Sequence, residues 1–201
     1  MVGDELRGIA NEGVRCADND YDNRRYGRVL SLSARLVAAI EQRSSDDVME
    51  DYKQHLAHIT PFVGAEAAVL RDGRMLLIQR EDNGLWAMPG GATDVGETWA
   101  QSVVRELREE TGLVGTAKKL LGVFDSRIWG SRSKYQFYAG LWLVEVSDDQ
   151  SPMAGAETTD VGFFAEHDVP AELSPGHVRR VPMAFKLARG EVQARYFDPP
   201  A

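Results

Sequence analysis

Cysteine is almost absent from this chain: Cys16 is the only one in 201 residues. An intramolecular disulfide is excluded, a cysteine-based zinc cluster has no ligands, and the composition suits a reducing compartment. Long apolar runs are missing as well, since no stretch reaches the ~18 residues of a membrane helix. The N-terminus, MVGDELRGIANEG, carries acids where a signal peptide needs a basic and then an apolar run. A cytoplasmic protein without a membrane partner is expected. Positive charge is in deficit, with 23 Lys and Arg against 31 Asp and Glu and a net charge of −8. Polymeric nucleic acid is held by neutralising its phosphates with Lys and Arg, so that partner is not expected. A small anionic substrate is compatible, provided cations in the site screen the carboxylates. Internal repeats and low-complexity tracts are lacking, and the 43% hydrophobic and 27% charged content is that of an ordinary globular chain.

What is present divides near Pro61. Residues 1–58 read as a helical domain. DELRGIANEGVRCA is a short helix candidate, and NDYDNRRYGRVLSLSARLVAAIEQR is a longer one with Tyr26, Val29, Leu30, Ser33, Leu36, Val37 and Ile40 at helical spacing. SSDDVMEDYKQHLAHI opens with capping residues and places Val48, Met49, Tyr52 and Leu56 on one face. Such a short unit carries more apolar surface than it can bury on itself, so a face must pack on the remaining chain or on a second copy. A two-fold homodimer is the expected form. Residues 62–201 have a different texture. VGAEAAVL and RMLLIQR flank RDG, a tight hairpin signal. KKLLGVFDSR, KYQFYAGLWLVEV and VGFFAE are further strands, and HVRRVPMAFKLARG is a late helix. Strands interrupted by helices indicate an α+β layer fold.

One stretch carries chemistry: GGATDVGETWAQSVVRELREETGL, Gly90 to Leu113. Thr98 and Gln101 match a capping box, Ala100, Val103, Val104 and Leu107 form a helical apolar stripe, and Gly112 suits a left-handed C-terminal cap. Glu106, Glu109 and Glu110 fall within one arc of roughly 100° beside that stripe. Their mutual repulsion weakens the helix, and a divalent cation is the natural compensation. Mg²⁺ prefers carboxylate and carbonyl oxygens, and a metal both neutralises a diphosphate and activates water.

Gly91, Glu97, Arg105-Glu106-Leu107, Glu109-Glu110 and Gly112-Leu113 keep the spacing G-x5-E-x7-R-E-U-x-E-E-x-G-U, where U is aliphatic. This resembles a complete Nudix box, and the resemblance covers roughly residues 62–190. It implies an α/β/α sandwich with a mixed sheet, dependence on Mg²⁺ or Mn²⁺, and hydrolysis of a nucleoside diphosphate linked to another moiety. The resemblance assigns metal binding to Glu106, Glu109 and Glu110 with a carbonyl of the Gly90–Ala92 loop, here taken as Gly90. Arg105 would orient the carboxylates and Glu97 would brace loop and helix, with Gly91 and Gly112 structural. Glu157 occupies a place where the family often keeps an extra acid as base or metal ligand; a solvated acid is the alternative.

IANEGVRCADNDYDNRRYGRVLSLSARLVAAI is similar to the helical N-terminal extension of a Nudix group that includes CDP-choline pyrophosphatases, a dimeric group, and ETTDVGFF followed by ELS is similar to it too. The chain departs from that group at Ala92-Thr93, where Trp-Ala is usual. ADP-ribose pyrophosphatases often carry a proline where this chain has Trp129. CDP-choline-like substrates therefore lead, with ADP-ribose or a UDP-sugar as the alternative, and a non-catalytic nucleotide sensor behind both. Among the remaining residues, Arg80 could clamp a phosphate or make a surface ion pair. Trp86 and Trp129 could stack on a ring or be buried packing. Asp125 and Arg127, at alternate positions of a strand, could face the pocket, and Tyr135 and Phe137 belong to core or rim.

Overall fold

The computed structural model describes residues 2–54, 59–133, 135–193 and 196–197. The chain divides into two compact units, residues 1–61 and 62–201. The first contains α1 (Val2–Cys16), α2 (Asp20–Glu41) and α3 (Ser45–Gln54). Asn19 starts α2 by accepting the Asp22 N–H at 2.9 Å, and Gln42 ends it in the left-handed conformation with φ 56°. The core is built from small residues, Ala10, Ala34 and Ala38, with Leu30, Val48 and Tyr52 around them. Ser33, also buried, donates to the Gly3 carbonyl at 2.7 Å. This differs from the expected face of α2. The alanines let the helices approach closely on their side, which leaves Leu36 37% and Ile40 68% exposed. Leu56 lies outside the described residues.

The second unit runs β1 (Phe62–Ala68), β2 (Leu70–Arg71), β3 (Arg74–Arg80), β4 (Trp86–Ala87), β5 (Gly90–Ala92), α4 (Trp99–Thr111), β6 (Gly115–Asp125), β7 (Phe137–Val146), β8 (Thr158–Phe164), α5 (His177–Ala188) and β9 (Tyr196–Phe197). One sheet has the order β5-β1-β7-β6-β9, with β1–β7 and β6–β9 parallel and the other pairs antiparallel. The other joins β2, β3 and β4 and adds β8 along β3. Asp72 and Gly73 turn the β2–β3 hairpin with φ of 50° and 72°, the positive values that a two-residue turn requires.

Alternation along the strands fills two cores, one under each helix. Leu76 of β3 packs with Val103 and Leu107 of α4, whereas its neighbours Met75 and Leu77 pack with Val181, Ala184 and Phe185 of α5. On β1, Ala65 and Ala67 join the α4 core and Ala68 the α5 core. The result is the expected α/β/α sandwich with mixed sheets, preceded by helices. The same alternation sends Glu66, between Ala65 and Ala67, toward α5. Among the described residues no helix is long and apolar enough to cross a membrane.

Candidate active site

The capping box at Thr98 forms: its hydroxyl accepts the Gln101 N–H at 3.3 Å and its own N–H reaches the Gln101 side chain at 2.8 Å. Trp99 then pins the helix start by donating to the Gly64 carbonyl at 2.9 Å. Gly112 closes α4 with φ 69°. Between these fixed ends Arg105 draws the charged residues together. Its Nε and Nη2 hold Glu97 at 2.8 and 3.0 Å, Nη1 donates to Glu106 at 2.9 Å and Glu109 at 3.0 Å, and Nη2 also reaches the Ala92 carbonyl at 3.0 Å. One guanidinium thus ties the loop before α4 to two carboxylates on it.

Glu106 and Glu110 lie where α4 meets Gly90–Ala92, expected as a loop and formed instead as strand β5 on the edge of β1. The Gly90 N–H donates to Glu110 Oε2 at 2.8 Å. Gly91 lets the Glu106 carboxylate lie against the backbone, since a Cβ there would stand 2.5 Å from Glu106 Oε1 and push that carboxylate aside. Burial pushes the Glu110 carboxyl up to about 8 against the opposing Gly90 N–H, and the Glu106 charge adds to the rise. Glu106 is raised as well, again chiefly by burial. Two desolvated carboxylates side by side make an all-oxygen donor set suited to a hard divalent ion. Among the described residues no group of three or more acidic, His or Cys side chains forms a metal cage. Glu109 is turned to Arg105 with its side chain 59% exposed. The residues fit a Mg²⁺-type ion held by one or two carboxylates, with water and substrate phosphate completing its shell. Gly90, expected to offer its carbonyl to the ion, also donates its N–H to Glu110.

Glu157 reaches this cluster because the loop before it is stitched to the end of α4. The last carbonyls of a helix lack intrahelical partners. Here Thr111 O accepts the Met153 N–H at 2.9 Å, and Glu110 O accepts both the Gly155 N–H at 3.0 Å and the Thr158 hydroxyl at 3.0 Å. Gly155 is pressed so close that a Cβ would overlap the Glu109 carbonyl. The exposed Glu157 side chain is then near enough for its charge to act on Glu106, Glu110 and Arg80.

A cavity of about 560 Å³ opens beside β5, and Arg80, Gly90, Gly91 and Ala92 are in its wall. Arg80 is also paired bidentately with Asp82 at 2.9 Å. The other substrate-binding candidates lie outside that wall. Trp129 is 5% exposed and meets the Phe124 ring edge-on at 4.8 Å, so it is core. Trp86 is half-buried against Phe164. Asp125 ends β6, and the chain turns before Arg127, which folds back on it at 2.6 Å instead of continuing the strand. Phe137 lines the cavity, whereas Tyr135 precedes β7 and packs on Phe62.

Three cavity residues carried no motif. Glu66 (β1) and Arg180 (α5) form a buried ion pair at 2.6 and 3.1 Å, with His177 3.4 Å from the same carboxylate. The available signal was a lone acid in the apolar strand VGAEAAVL, without its partner 114 residues away.

A model of the NUDIX domain matches residues 61–184. A Bacillus subtilis protein named "Putative ADP-ribose pyrophosphatase YjhB" is 29% identical over 96% of this chain and 93% of its own length. An ADP-ribose pyrophosphatase of Methanocaldococcus jannaschii is 42% identical over 38% of this chain and 47% of that protein. Among solved structures, a UDP-X diphosphatase superposes with a TM-score of 0.64 at 24% identity, covering 98% of this chain and 96% of the other, a likeness of fold. An ADP-ribose pyrophosphatase from Streptococcus suis gives 0.58 at 28% identity, covering 69% and 100%.

Proposed function

The chain belongs to the Nudix family of hydrolases, and on that footing we propose that it cleaves a nucleoside diphosphate linked to another moiety, NDP-X, into NMP and phospho-X. The observation that carries this is the Glu106–Glu110 pair set against β5, braced by Arg105, with Arg80 of the neighbouring cavity wall close enough for its charge to act on Glu110. Mg²⁺ or Mn²⁺ bound there would neutralise the diphosphate and acidify an attacking water. Glu106 and Glu110 would hold that ion, and Glu109 would be available to a second. Arg105 keeps their carboxylates in place through the contacts to Glu97 and Ala92. Arg80 attracts a phosphate oxygen at the cavity wall, and Glu157 takes the proton of the attacking water.

For X we favour CDP-choline-like substrates, from the Asp20-Tyr21-Asp22 extension and the ETTDVGFF segment. ADP-ribose is the second reading, favoured by the names of two similar proteins. A nucleotide sensor has no need of the carboxylate set, which this chain retains complete. The enzyme is proposed to act in the cytoplasm as a homodimer through α2.

The test is a panel of CDP-choline, UDP-sugars, ADP-ribose, dinucleotides and NTPs with Mg²⁺ or Mn²⁺ in H₂¹⁸O, read by product mass. NMP and phospho-X, with the label on one of them, are expected. Inorganic pyrophosphate from an NTP as the dominant product would overturn the proposal.

A further inference from the structure

The most buried polar side chains around the cavity are Arg180, Glu66 and His177, which are 2%, 7% and 9% exposed. Arg80 and Arg132 of the same wall are half-buried and exposed. A buried ion pair is poor value for stability alone, because desolvating two charges offsets most of their attraction. This pair is also incomplete. Arg180 spends Nε and Nη2 on Glu66, and Nη2 lies 3.5 Å from His177 Nδ1. Arginine only donates, so Nδ1 is the acceptor and the imidazole proton sits on Nε2, which lies 3.4 Å from Glu66 without a hydrogen bond to it. Arg180 Nη1 is left buried with no hydrogen-bond partner. An orphaned donor of a buried charge carries its full desolvation cost.

The electrostatics say what would satisfy Nη1. Glu66 cancels the guanidinium charge, and burial keeps His177 neutral by lowering its pKa. A phosphate placed here would meet the Glu66 carboxylate without a net positive charge to hold it. An uncharged acceptor meets no such repulsion. Ile78, Met88 and Phe137 supply apolar wall for a flat ring. Among uncharged acceptors on rings, a keto oxygen is the habitual partner of guanidinium donors in base recognition, whereas adenine has no keto oxygen and sets an exocyclic donor beside its N7 acceptor, where it would face Nη1. Gly176 bears on the same atom, since a Cβ on it would stand 2.7 Å from Arg180 Nη1. A side chain there would occupy the approach to the orphaned donor.

We propose that Arg180, held by Glu66 and approached past Gly176, reads a keto oxygen on the substrate's base, and so selects cytosine, uracil or guanine over adenine. The inference rests on reading this cavity as the substrate site, with the diphosphate end at Arg80 and β5.

Calorimetric titration of the full chain without divalent metal, using CMP, UMP, AMP and ribose 5-phosphate, separates the two. CMP and UMP should bind about 10-fold or more tighter than ribose 5-phosphate, with AMP gaining little. Arg180→Lys keeps the charge beside Glu66 but loses Nη1, and Gly176→Ala puts a methyl 2.7 Å from where Nη1 stands, so the guanidinium must shift and Nη1 leaves its position. In either variant the gain for CMP and UMP should shrink to roughly threefold or less, with ribose 5-phosphate unaffected. The proposal is overturned if AMP gains as much as CMP, if wild type treats all four alike, or if the variants leave the ratios intact or weaken every probe equally. Should Arg180→Lys not fold, Gly176→Ala alone decides. Because no hydrolysis is measured, base selection can stand even if no NDP-X is turned over, and it can fall while turnover persists.

Discussion

Arg105 holds Glu97 with two parallel hydrogen bonds, Nε at 2.8 Å and Nη2 at 3.0 Å, across eight residues of chain. That bidentate grip fixes the plane of the guanidinium, and the plane aims Nη1 at Glu106 and Glu109. The position of the site carboxylates is therefore set from the loop side as much as from the helix.

A lysine at 105 would carry the charge without the fork. Arg105→Lys should lower kcat about 10- to 100-fold, an effect typical of a misplaced reacting group. KM should change little, since Arg105 is not in the cavity wall. Steady-state kinetics on the substrate found in the panel checks this, and a rise in KM at unchanged kcat would contradict it.

Glu106→Gln and Glu110→Gln should each lower kcat by several orders of magnitude, because an anionic metal ligand is lost. The fold should persist and the melting temperature should change little: burial already favours the neutral carboxyl at Glu110, and at Glu106 relief from burying a charge is offset by a weaker hydrogen bond from Arg105. Turnover like wild type at saturating Mg²⁺ would remove both residues from the metal site.

The carboxylate helix was legible because its signals are local: Thr98, Gln101 and Gly112 bound thirteen residues whose stripe and charges share one period. β3 was legible as RMLLIQR for the same reason. β4 and β5 were not, because two or three residues show no periodicity and are held only by partners on β3 and β1. Asp125 and Arg127 looked like one face of a strand until the chain turned between them. Glu66 and Arg180 could not be paired without the fold, since each reads alone as a solvated charge. The outward turn of Leu36 and Ile40 followed from close packing at Ala34 and Ala38, which apolar periodicity ranks below the larger side chains.

His177 gives a pH dependence. Burial lowers its pKa from 6.5 to about 4, and Arg180 and Arg80 add to the lowering while Glu66 opposes it. Between these values the unfolded chain binds the proton and the folded one does not, so stability rises with pH. It should be complete above about pH 6.5 and lost progressively toward pH 4, by on the order of 3 kcal/mol at most. Urea midpoints from pH 7 to 4 should fall more steeply for wild type than for His177→Gln. Parallel curves would remove His177 as the cause.

Thr158 is expected to act as a positioning residue. Its hydroxyl accepts the Gly155 N–H at 2.7 Å and donates to the Glu110 carbonyl at 3.0 Å, so it locks the loop carrying Glu157 to the metal helix. Thr158→Val keeps the shape and loses both bonds, and should lower kcat about 10-fold with KM little changed. Thr158→Ser restores the hydroxyl and should recover the rate. Equal loss in both variants would mean that packing, not the hydroxyl, matters here.

The last prediction concerns α2. Leu32, Leu36 and Ile40 stand four residues apart and are 48%, 37% and 68% exposed, an apolar stripe on the side of the helix away from Ala34 and Ala38. Residues at this spacing lie on one face of a helix, and an exposed apolar stripe suits a self-complementary contact across a two-fold axis. Light scattering at micromolar protein should give twice the 22.3 kDa chain mass. Leu36→Glu with Ile40→Glu places two charges on the stripe, where self-association would bring them against their own copies, and should yield the monomer. Neither position is buried, so the helical unit should keep its circular dichroism. A monomeric wild type refutes the dimer; a dimer that survives both substitutions refutes the role of this stripe and moves the contact elsewhere on the chain.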